Sequence, residues 1–239
     1  MKKTVIILLT VFVVPLFSHA DDVTKKLTLG YIEFAPYTFT NDAGKPEGML
    51  IDLAAKVFPE AGYEWDAVSY PVRRLVEFLV SGDLDIWMGL KTLPVFKGKT
   101  YIGNEIVASL VLNAYTTGNN PPVIKKEDLS GKSVIILRGY SYGGWINYIL
   151  DKKNNVSYIK ANKHLSALKM LQAKRADYLL DYRDPIDRAL KKFDLPELKH
   201  NQISSLPCYF IVSKKIKDGA DVINRLETVY RQKKQSGQL

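Results

Sequence analysis

Strand-like and helix-like segments alternate along the first third of the chain, and this alternation constrains the fold more than any other feature. Residues 27–31 and 65–70 are typical of strands, whereas residues 48–58 carry apolar side chains at helical spacing. A second helix is predicted to begin near Pro71, and the apolar run at residues 84–90 is typical of a buried strand. The pattern predicts an α/β protein, and open α/β sheets bind small ligands where their strands end.

The alternation resumes after the polar, turn-rich segment at residues 117–122, which is the clearest internal boundary in the sequence. Further strands are predicted at residues 132–137, 156–159, 178–181 and 208–212, and further helices at residues 145–150, 165–171, 184–190 and 223–230. Two small α/β units follow from this order. A single continuous sheet is the alternative, and periodicity alone leaves both open.

The first twenty residues have the layout of a secretory signal peptide. Lys2 and Lys3 precede an almost wholly apolar run at residues 4–17, and Ser18 and Ala20 supply small side chains for cleavage. The apolar run is shorter than the roughly 20 residues that a membrane span needs. We therefore expect a periplasmic protein that is cleaved after Ala20.

Composition argues against several other classes of protein. The net charge is +9, but the basic residues are scattered along an exported chain, so we expect no nucleic-acid partner. Beyond the signal peptide there are two histidines, His164 and His200, and one cysteine, Cys208, without the spacing of a metal site. No nucleotide-binding loop is present. We expect neither a metal nor a cofactor, and we expect a monomer.

The segment from Gly139 to Gly143 reads G-Y-S-Y-G and allows two interpretations. It matches the nucleophile elbow of a serine hydrolase, with Ser141 between a predicted strand and a predicted helix and with His200 later in the chain. However, no upstream oxyanion segment accompanies it. A glycine-rich turn before a helix also exposes backbone N–H groups that favour an anion, and Ser141 adds a hydroxyl donor. The second interpretation requires binding and no reaction.

Aromatic and basic side chains near the ends of predicted strands are candidate ligand contacts. Phe34, Tyr37, Tyr70 and Tyr142 offer flat walls for a small ligand. Arg73 and Arg74 lie in the first turn of a helix, where the helix dipole disfavours cations. That unfavourable position indicates a specific role for the pair, such as a bidentate hold on a carboxylate.

The order of these segments resembles the bacterial extracellular solute-binding proteins of family 3, the polar amino-acid type. The resemblance rests on the aromatic-proline loop at residues 31–37, on a P-x-x-R pattern ending at Arg74, and on the acidic strand end at Asp181. It implies that Phe34 stacks on a ligand and that Asp181 pairs with the ammonium of that ligand. It also implies a small polar solute, an amino acid or a related compound, captured for an ABC importer in the inner membrane.

The resemblance further implies a type II periplasmic binding protein fold, with two α/β lobes that close over the ligand like a Venus flytrap. Two crossover strands, expected near residues 112–116 and 205–209, would join the lobes. Lobe 1 would comprise residues 21–112 and 206–239, and the inserted lobe 2 would comprise residues 113–205. The chain departs from the family pattern at Phe96, where an arginine that clamps an α-carboxylate is expected. Lys91, Lys97 or Arg74 would then have to replace that arginine.

The same fold admits two further functions. A dehydratase-like lyase would need an acid or base in the cleft, for which Glu33 and Glu105 are the candidates. A sensor-associated binder would pass the ligand state to a membrane partner. A binding protein without catalytic activity is the principal expectation.

Overall fold

The computed structural model describes residues 26–239, which form a mixed α/β protein. The predicted signal peptide lies outside the described residues. The strands are β1 Lys26–Tyr31, β2 Phe39–Thr40, β3 Pro46–Glu47, β4 Glu64–Ser69, β5 Ile86–Leu90, β6 Thr100–Ile102, β7 Ala108–Thr116, β8 Ser133–Leu137, β9 Ser157–Ala161, β10 Tyr178–Tyr182 and β11 Lys199–Ser213. The α-helices are α1 Met49–Val57, α2 Val72–Ser81, α3 Trp145–Leu150, α4 His164–Gln172, α5 Arg183–Lys192 and α6 Gly219–Gln235.

One hydrogen-bonded sheet runs through the described residues in the order β4-β1-β5-β11-β7-β10-β8-β9, with β6 added on β11. Strand β1 is parallel to β4 and β5, and strand β8 is parallel to β9 and β10. The central strands β7 and β11 are antiparallel to each other and to the strands beside them. Two groups of parallel strands therefore share one antiparallel ribbon. The sequence left open whether the chain forms two α/β units or a single sheet, and the structure has two groups of strands within one sheet.

Strand β11 belongs to both groups because of its length. Its Cys208–Val212 stretch pairs with β5, and its residues from Lys199 to Cys208 pair with β7. The register of the β7–β11 ribbon shifts between Gln202 and Ser204, at an irregularity of the β-bulge kind. The lobe boundaries predicted at residues 112 and 206 fall within β7 and β11, and the division at these residues stays a prediction.

The sequence predicts the positions of the helices well but underestimates the length of β11, which is predicted only over residues 205–212. Residues 199–205 are polar and partly exposed, so they lack the apolar run that indicates a strand. They are extended because their backbone pairs with β7 along its length. The short strand β6 and the β2–β3 hairpin were also missed, since two or three residues carry no periodicity.

The loop after β1 is fixed against the start of helix α1. The backbone N–H groups of Met49 and Leu50 donate to the carbonyl oxygens of Pro36 and Tyr37, at 3.1 and 2.9 Å. Gly48 permits this approach, since it has φ 121° and a Cβ there would lie 2.5 Å from the Tyr37 oxygen. The loop that presents Phe34 and Tyr37 is thus held by the backbone of a helix.

Candidate functional site

A cleft of about 590 Å³ lies between the two groups of strands. Helix α2 and the segment after β5 form one side, the turn after β8 forms the other, and the central ribbon contributes Leu110 and Cys208. The lining residues are Ile32, Phe34, Tyr37, Thr38, Leu50, Val72, Arg73, Val76, Glu77, Trp87, Met88, Gly89, Leu90, Leu93, Pro94, Val95, Leu110, Gly139, Tyr140, Ser141, Tyr182 and Cys208. Its volume is within the range of small-molecule sites.

Charged side chains contribute little to this lining. Arg73 and Glu77 are its charged members, and Arg73 Nε donates to Glu77 Oε1 at 3.2 Å. Their side chains are 90% and 61% exposed, which places the ion pair at the mouth of the cleft. The interior is apolar, apart from hydroxyl groups and backbone.

Phe34 is the centre of an aromatic cluster that joins the two sides of the cleft. Its ring lies 5.5 Å from that of Tyr37, and it meets Tyr140, Tyr182 and His164 at 6.0, 5.3 and 5.6 Å between centroids. Phe34 and Tyr37 follow β1, whereas the other three belong to the second group of strands. The cluster therefore holds the two groups together beside the cleft.

Tyr37 adds a polar connection between the same two groups. Its hydroxyl donates to the Asp184 carboxylate in the first turn of α5 and to the Ser109 carbonyl at 3.2 Å. Burial raises the pKa of the Tyr37 hydroxyl well above its usual value, and the hydrogen bond to Asp184 raises it further. Tyr37 therefore stays protonated and able to donate.

The Asp181 carboxylate is fully buried and already has partners. His164 Nδ1 lies 2.9 Å from both of its oxygens, and the Tyr182 backbone N–H donates to it at 2.8 Å. Asp181 is not among the residues that line the cleft. His164 Nε2 is buried and has no hydrogen-bond partner within residues 26–239.

The structure brings four of the nine predicted site residues to the cleft, namely Phe34, Tyr37, Arg73 and Ser141. The other five lie elsewhere, and that set comprises Tyr70, Arg74, Lys91, Tyr142 and Asp181. The Tyr70 ring packs edge-on against Phe78, and Lys91 Nζ lies 4.1 Å from the centre of the Tyr209 ring. Arg74 is exposed. Tyr142 is fully buried, with its hydroxyl accepting from the Leu137 N–H at 2.6 Å. A ligand contact by any of the nine stays a prediction.

Sequence reasoning missed the apolar face that α2 presents to the cleft. Val72 and Val76 line the cleft one helical turn apart, beside the Leu75 and Leu79 pair that is buried beneath the helix. The i, i+4 spacing of the two valines was the available signal. Tyr182 was also missed, because it appears in sequence only as the residue after Asp181.

Phe96, which stands where the family pattern has an arginine, is a core residue. Its side chain is 1% exposed and packs against Trp87, with 6.0 Å between ring centroids. It belongs to a small apolar cluster with Leu75, Leu79 and Ile211. The position therefore supplies packing here and no positive charge.

The arrangement required by a serine hydrolase does not form among the described residues. None of the hydrogen bonds within residues 26–239 joins Ser141 to a histidine. His200 Nδ1 lies 2.9 Å from the Leu198 carbonyl, and its ring packs on Tyr115. Of the two lyase candidates, Glu33 accepts from Thr40 and Ser69, and Glu105 pairs with Arg231; neither lines the cleft.

Comparison with known proteins shows which proteins the chain is similar to. Residues 27–94 match the bacterial extracellular solute-binding proteins, family 3. The family resemblance predicted from the sequence is confirmed by this match. It is a family of binding proteins, in agreement with the expectation of binding without catalysis. A search of the curated proteins found no match.

Solved structures confirm the two-lobed fold. A variant of ArgBP from T. maritima has TM-score 0.69 and 21% identity over 89% of this chain and 90% of its own. A histidine kinase sensor domain with similarity to periplasmic binding proteins has TM-score 0.75 and 19% identity over 90% and 92%. The ancestral amino acid-binding protein AncCDT-1, a precursor of cyclohexadienyl dehydratase, has TM-score 0.69 and 18% identity over 89% and 91%.

The described residues contain neither a helix that could span a membrane nor a group of side chains that could hold a metal ion. None of the helices within residues 26–239 has both the length and the apolar character needed to cross a bilayer. In the same part of the chain, no three His, Cys, Asp or Glu side chains are grouped so that they could hold a metal ion.

Proposed function

We propose that this chain is a periplasmic solute-binding protein that captures a small solute in the cleft for an ABC importer. The observation that carries the proposal is the cleft itself, which is lined from both groups of strands and bordered by the Phe34 aromatic cluster. A ligand in such a cleft touches both sides only when they are close together. Its binding therefore shifts the population toward the closed arrangement.

The solute is an amino acid or a related compound of similar size. The match to family 3 supports this class, as does the structural similarity to an ancestral arginine-binding protein and to an ancestral amino acid-binding protein. Within the cleft, Phe34 and Tyr37 form the flat wall and Ser141 faces the solute from the turn after β8. Exposed charges at the mouth, on Arg73 and Glu77, meet the solute as it enters.

Export and delivery complete the proposal. The signal peptide at residues 1–20 directs the chain to the periplasm and is removed after Ala20. The mature protein acts as a monomer, and a permease in the inner membrane recognises its closed form. Lobe 1, residues 21–112 and 206–239, and lobe 2, residues 113–205, are the bodies that close.

Ligand-dependent thermal stabilisation tests the proposal. The purified protein is heated with a broad panel of amino acids, small peptides and related compounds, and at least one should raise its melting temperature. A ligand at 100 times its Kd adds about 2.7 kcal/mol to the free energy of unfolding. No response to any compound, together with esterase activity that Ser141→Ala abolishes, would contradict binding and favour the hydrolase.

A sensor-associated binder is the second candidate function. It is supported by the likeness to the sensor domain of a histidine kinase, which has the same fold over 90% of this chain. Both functions use the same cleft and differ in the membrane partner. Genes for a permease and an ATPase beside this one would support import, and a kinase gene alone would support signalling.

A further inference from the structure

The cleft provides an unusual balance of chemistry for a protein proposed to bind amino acids. Apolar side chains form its walls, with Val72 and Val76 from α2, Leu93 and Pro94 from the segment after β5, and Leu110 from the ribbon. Apolar walls gain free energy when they cover apolar ligand surface. They offer nothing in exchange for the hydration that a charged ligand group loses on entry.

The charged groups near the cleft are already neutralised or out of reach. Arg73 and Glu77 pair with each other at the solvent-exposed mouth. Asp181 is completely buried, and its carboxylate accepts from His164 and from the Tyr182 backbone. Lys91 is absent from the lining and lies over the Tyr209 ring. The cleft interior thus holds no free charge among residues 26–239 for either end of a zwitterion.

Five side-chain hydroxyl groups line the cleft, and those of Tyr37 and Thr38 already donate to Asp184 and to the Ile32 carbonyl. Ser141, Tyr140 and Tyr182 line the cleft, and none of their hydroxyl groups has a hydrogen-bond partner within residues 26–239. Burial raises the pKa of both tyrosines, with the nearby Asp181 raising that of Tyr140 further. The hydroxyls therefore stay uncharged, and each can donate to or accept from a neutral ligand group.

We propose that the preferred ligand is an uncharged, mainly apolar compound, flat enough to lie against Phe34 and carrying one or two neutral hydrogen-bonding groups. Within the proposed class of amino acids and related compounds, an aromatic amide or alcohol has this chemistry, whereas a free amino acid does not. The inference rests on the proposed function, since it names the ligand class of the same cleft. It concerns selectivity, because a zwitterion would have to bury both charges against apolar walls.

Matched ligand pairs test this selectivity. Hydrocinnamamide keeps the ring and chain of L-phenylalanine but lacks the ammonium and the carboxylate charge. Indole-3-propanamide stands in the same relation to L-tryptophan. Isothermal titration of the purified protein should give at least about tenfold tighter binding for the neutral member of each pair. L-arginine, as a polar control, should bind no better than L-phenylalanine.

The outcomes separate the inference from the function on which it rests. Tighter binding of L-phenylalanine, L-tryptophan or L-arginine than of the neutral compounds would overturn the inference and leave solute binding standing. An absence of binding by every compound, including the broad amino-acid panel, would overturn both.

Two valines on α2 give a matched pair of variants. Val76 lines the cleft, whereas Val80, one turn further along, packs against the small cluster around Leu75 and is absent from the lining. Val76→Asn should weaken the binding of the tighter neutral compound about tenfold, because it places an amide against the apolar part of the ligand. Val80→Asn should change that binding less than about threefold. Equal effects of the two substitutions would overturn the inference.

Discussion

Asp181 has a partner in space that its position in the sequence does not reveal. It lies one residue before the end of strand β10, where the family resemblance predicts a partner for a ligand ammonium. The fold brings His164, at the start of α4, to both oxygens of its carboxylate. Seventeen residues separate the two in sequence, and no local pattern couples them. Only the packing of α4 beside β10 reveals the pair.

Removal of the Asp181 carboxylate should destabilise the protein. Asp181→Ala leaves His164 Nδ1 and the Tyr182 N–H without their buried partner, so we expect the free energy of unfolding to fall by about 2–4 kcal/mol. Asp181→Asn keeps an acceptor oxygen and should cost less. Equilibrium urea unfolding measures both, and an alanine variant within about 0.5 kcal/mol of the parent would contradict the role of the pair.

Cys208 should be almost inert to thiol reagents in the native protein. Burial raises the pKa of its thiol to about 12. At pH 8 only about one thiol in ten thousand is then ionised, and reactivity follows the thiolate. The native protein should react with a disulfide reagent far more slowly than the urea-unfolded protein, with the rate rising about tenfold per pH unit. Fast labelling of the native protein at pH 8 would contradict this expectation.

The same thiol makes a pH-dependent contribution to stability. Its folded pKa exceeds the unfolded value of about 8.5, so the folded state binds the proton more tightly. The contribution is complete below about pH 8.5 and is lost as pH rises toward 12. Replacement by alanine should therefore reduce the fall in unfolding free energy across that alkaline range.

Sequence reasoning at the residue scale found the aromatic loop and the turn after β8. Phe34, Tyr37 and Ser141 could be predicted because strand ends in an α/β sheet converge on one edge. The sequence does not reveal which of Tyr140 and Tyr142 lines the cleft, because both lie in the same turn. In the structure Tyr140 lines the cleft and Tyr142 is buried. The direction of each ring depends on the positive φ of Tyr142, which spacing does not reveal.

At the scale of elements, the turn between β8 and α3 meets helix α2 across the cleft. Gly139 has φ 86°, and a Cβ there would lie 2.6 Å from Val72 Cγ1. Gly144, later in the same turn, has φ 97° and nothing within 4 Å of such a Cβ. The two glycines share an unfavourable conformation for alanine and differ in their neighbours.

Alanine at the two glycines should separate backbone strain from contact across the cleft. Each substitution places alanine in the left-handed region at a cost of roughly 1–2 kcal/mol. Gly139→Ala also pushes against the stiff Val72 side chain, so it should weaken binding of the best ligand about tenfold. Gly144→Ala should leave affinity within about twofold. Calorimetric titration of both variants checks this, and equal losses would exclude a role for the contact.

Helix positions followed from the sequence better than strand lengths did. The buried residues of α1 and α2 are among those that have apolar spacing in the sequence. This agreement arises because the apolar face of an amphipathic helix is the face that packs on the core. The first half of β11 is polar, and its strand conformation depends on β7, which is more than eighty residues away. Partner-dependent structure of this kind leaves little trace in a local window.

At the scale of the whole molecule, three sets of contacts connect the two groups of strands. The Phe34 cluster, the Tyr37–Asp184 hydrogen bond and the Arg188 guanidinium, 4.9 Å from the centre of the Phe39 ring, all join the two groups of strands. Under the proposed function, these contacts would favour the closed form that binds the ligand. Loss of one of these contacts should lower the apparent affinity for the ligand, because a smaller fraction of the protein would be in the closed form.

Tyr37→Phe tests this coupling of closure to affinity. Loss of the hydrogen bond to Asp184 should weaken ligand binding about tenfold and enlarge the radius of gyration of the free protein. Small-angle X-ray scattering and titration measure the two effects. Tyr230→Phe is the control, since it removes a hydrogen bond to the Ile106 carbonyl within one group of strands. If both variants bind alike, closure does not depend on Tyr37.

The register shift between Gln202 and Ser204 has a mechanical consequence for the whole molecule. The two strands that join the lobes form an unbroken ladder on either side of this irregularity, so they resist shear and stretching but bend where the ladder is interrupted. We expect the pair of strands β7 and β11 to bend as a unit, with its greatest flexibility at residues 202–204. Opening of the lobes would then bend the two strands at this point and leave the paired stretches on either side of it intact.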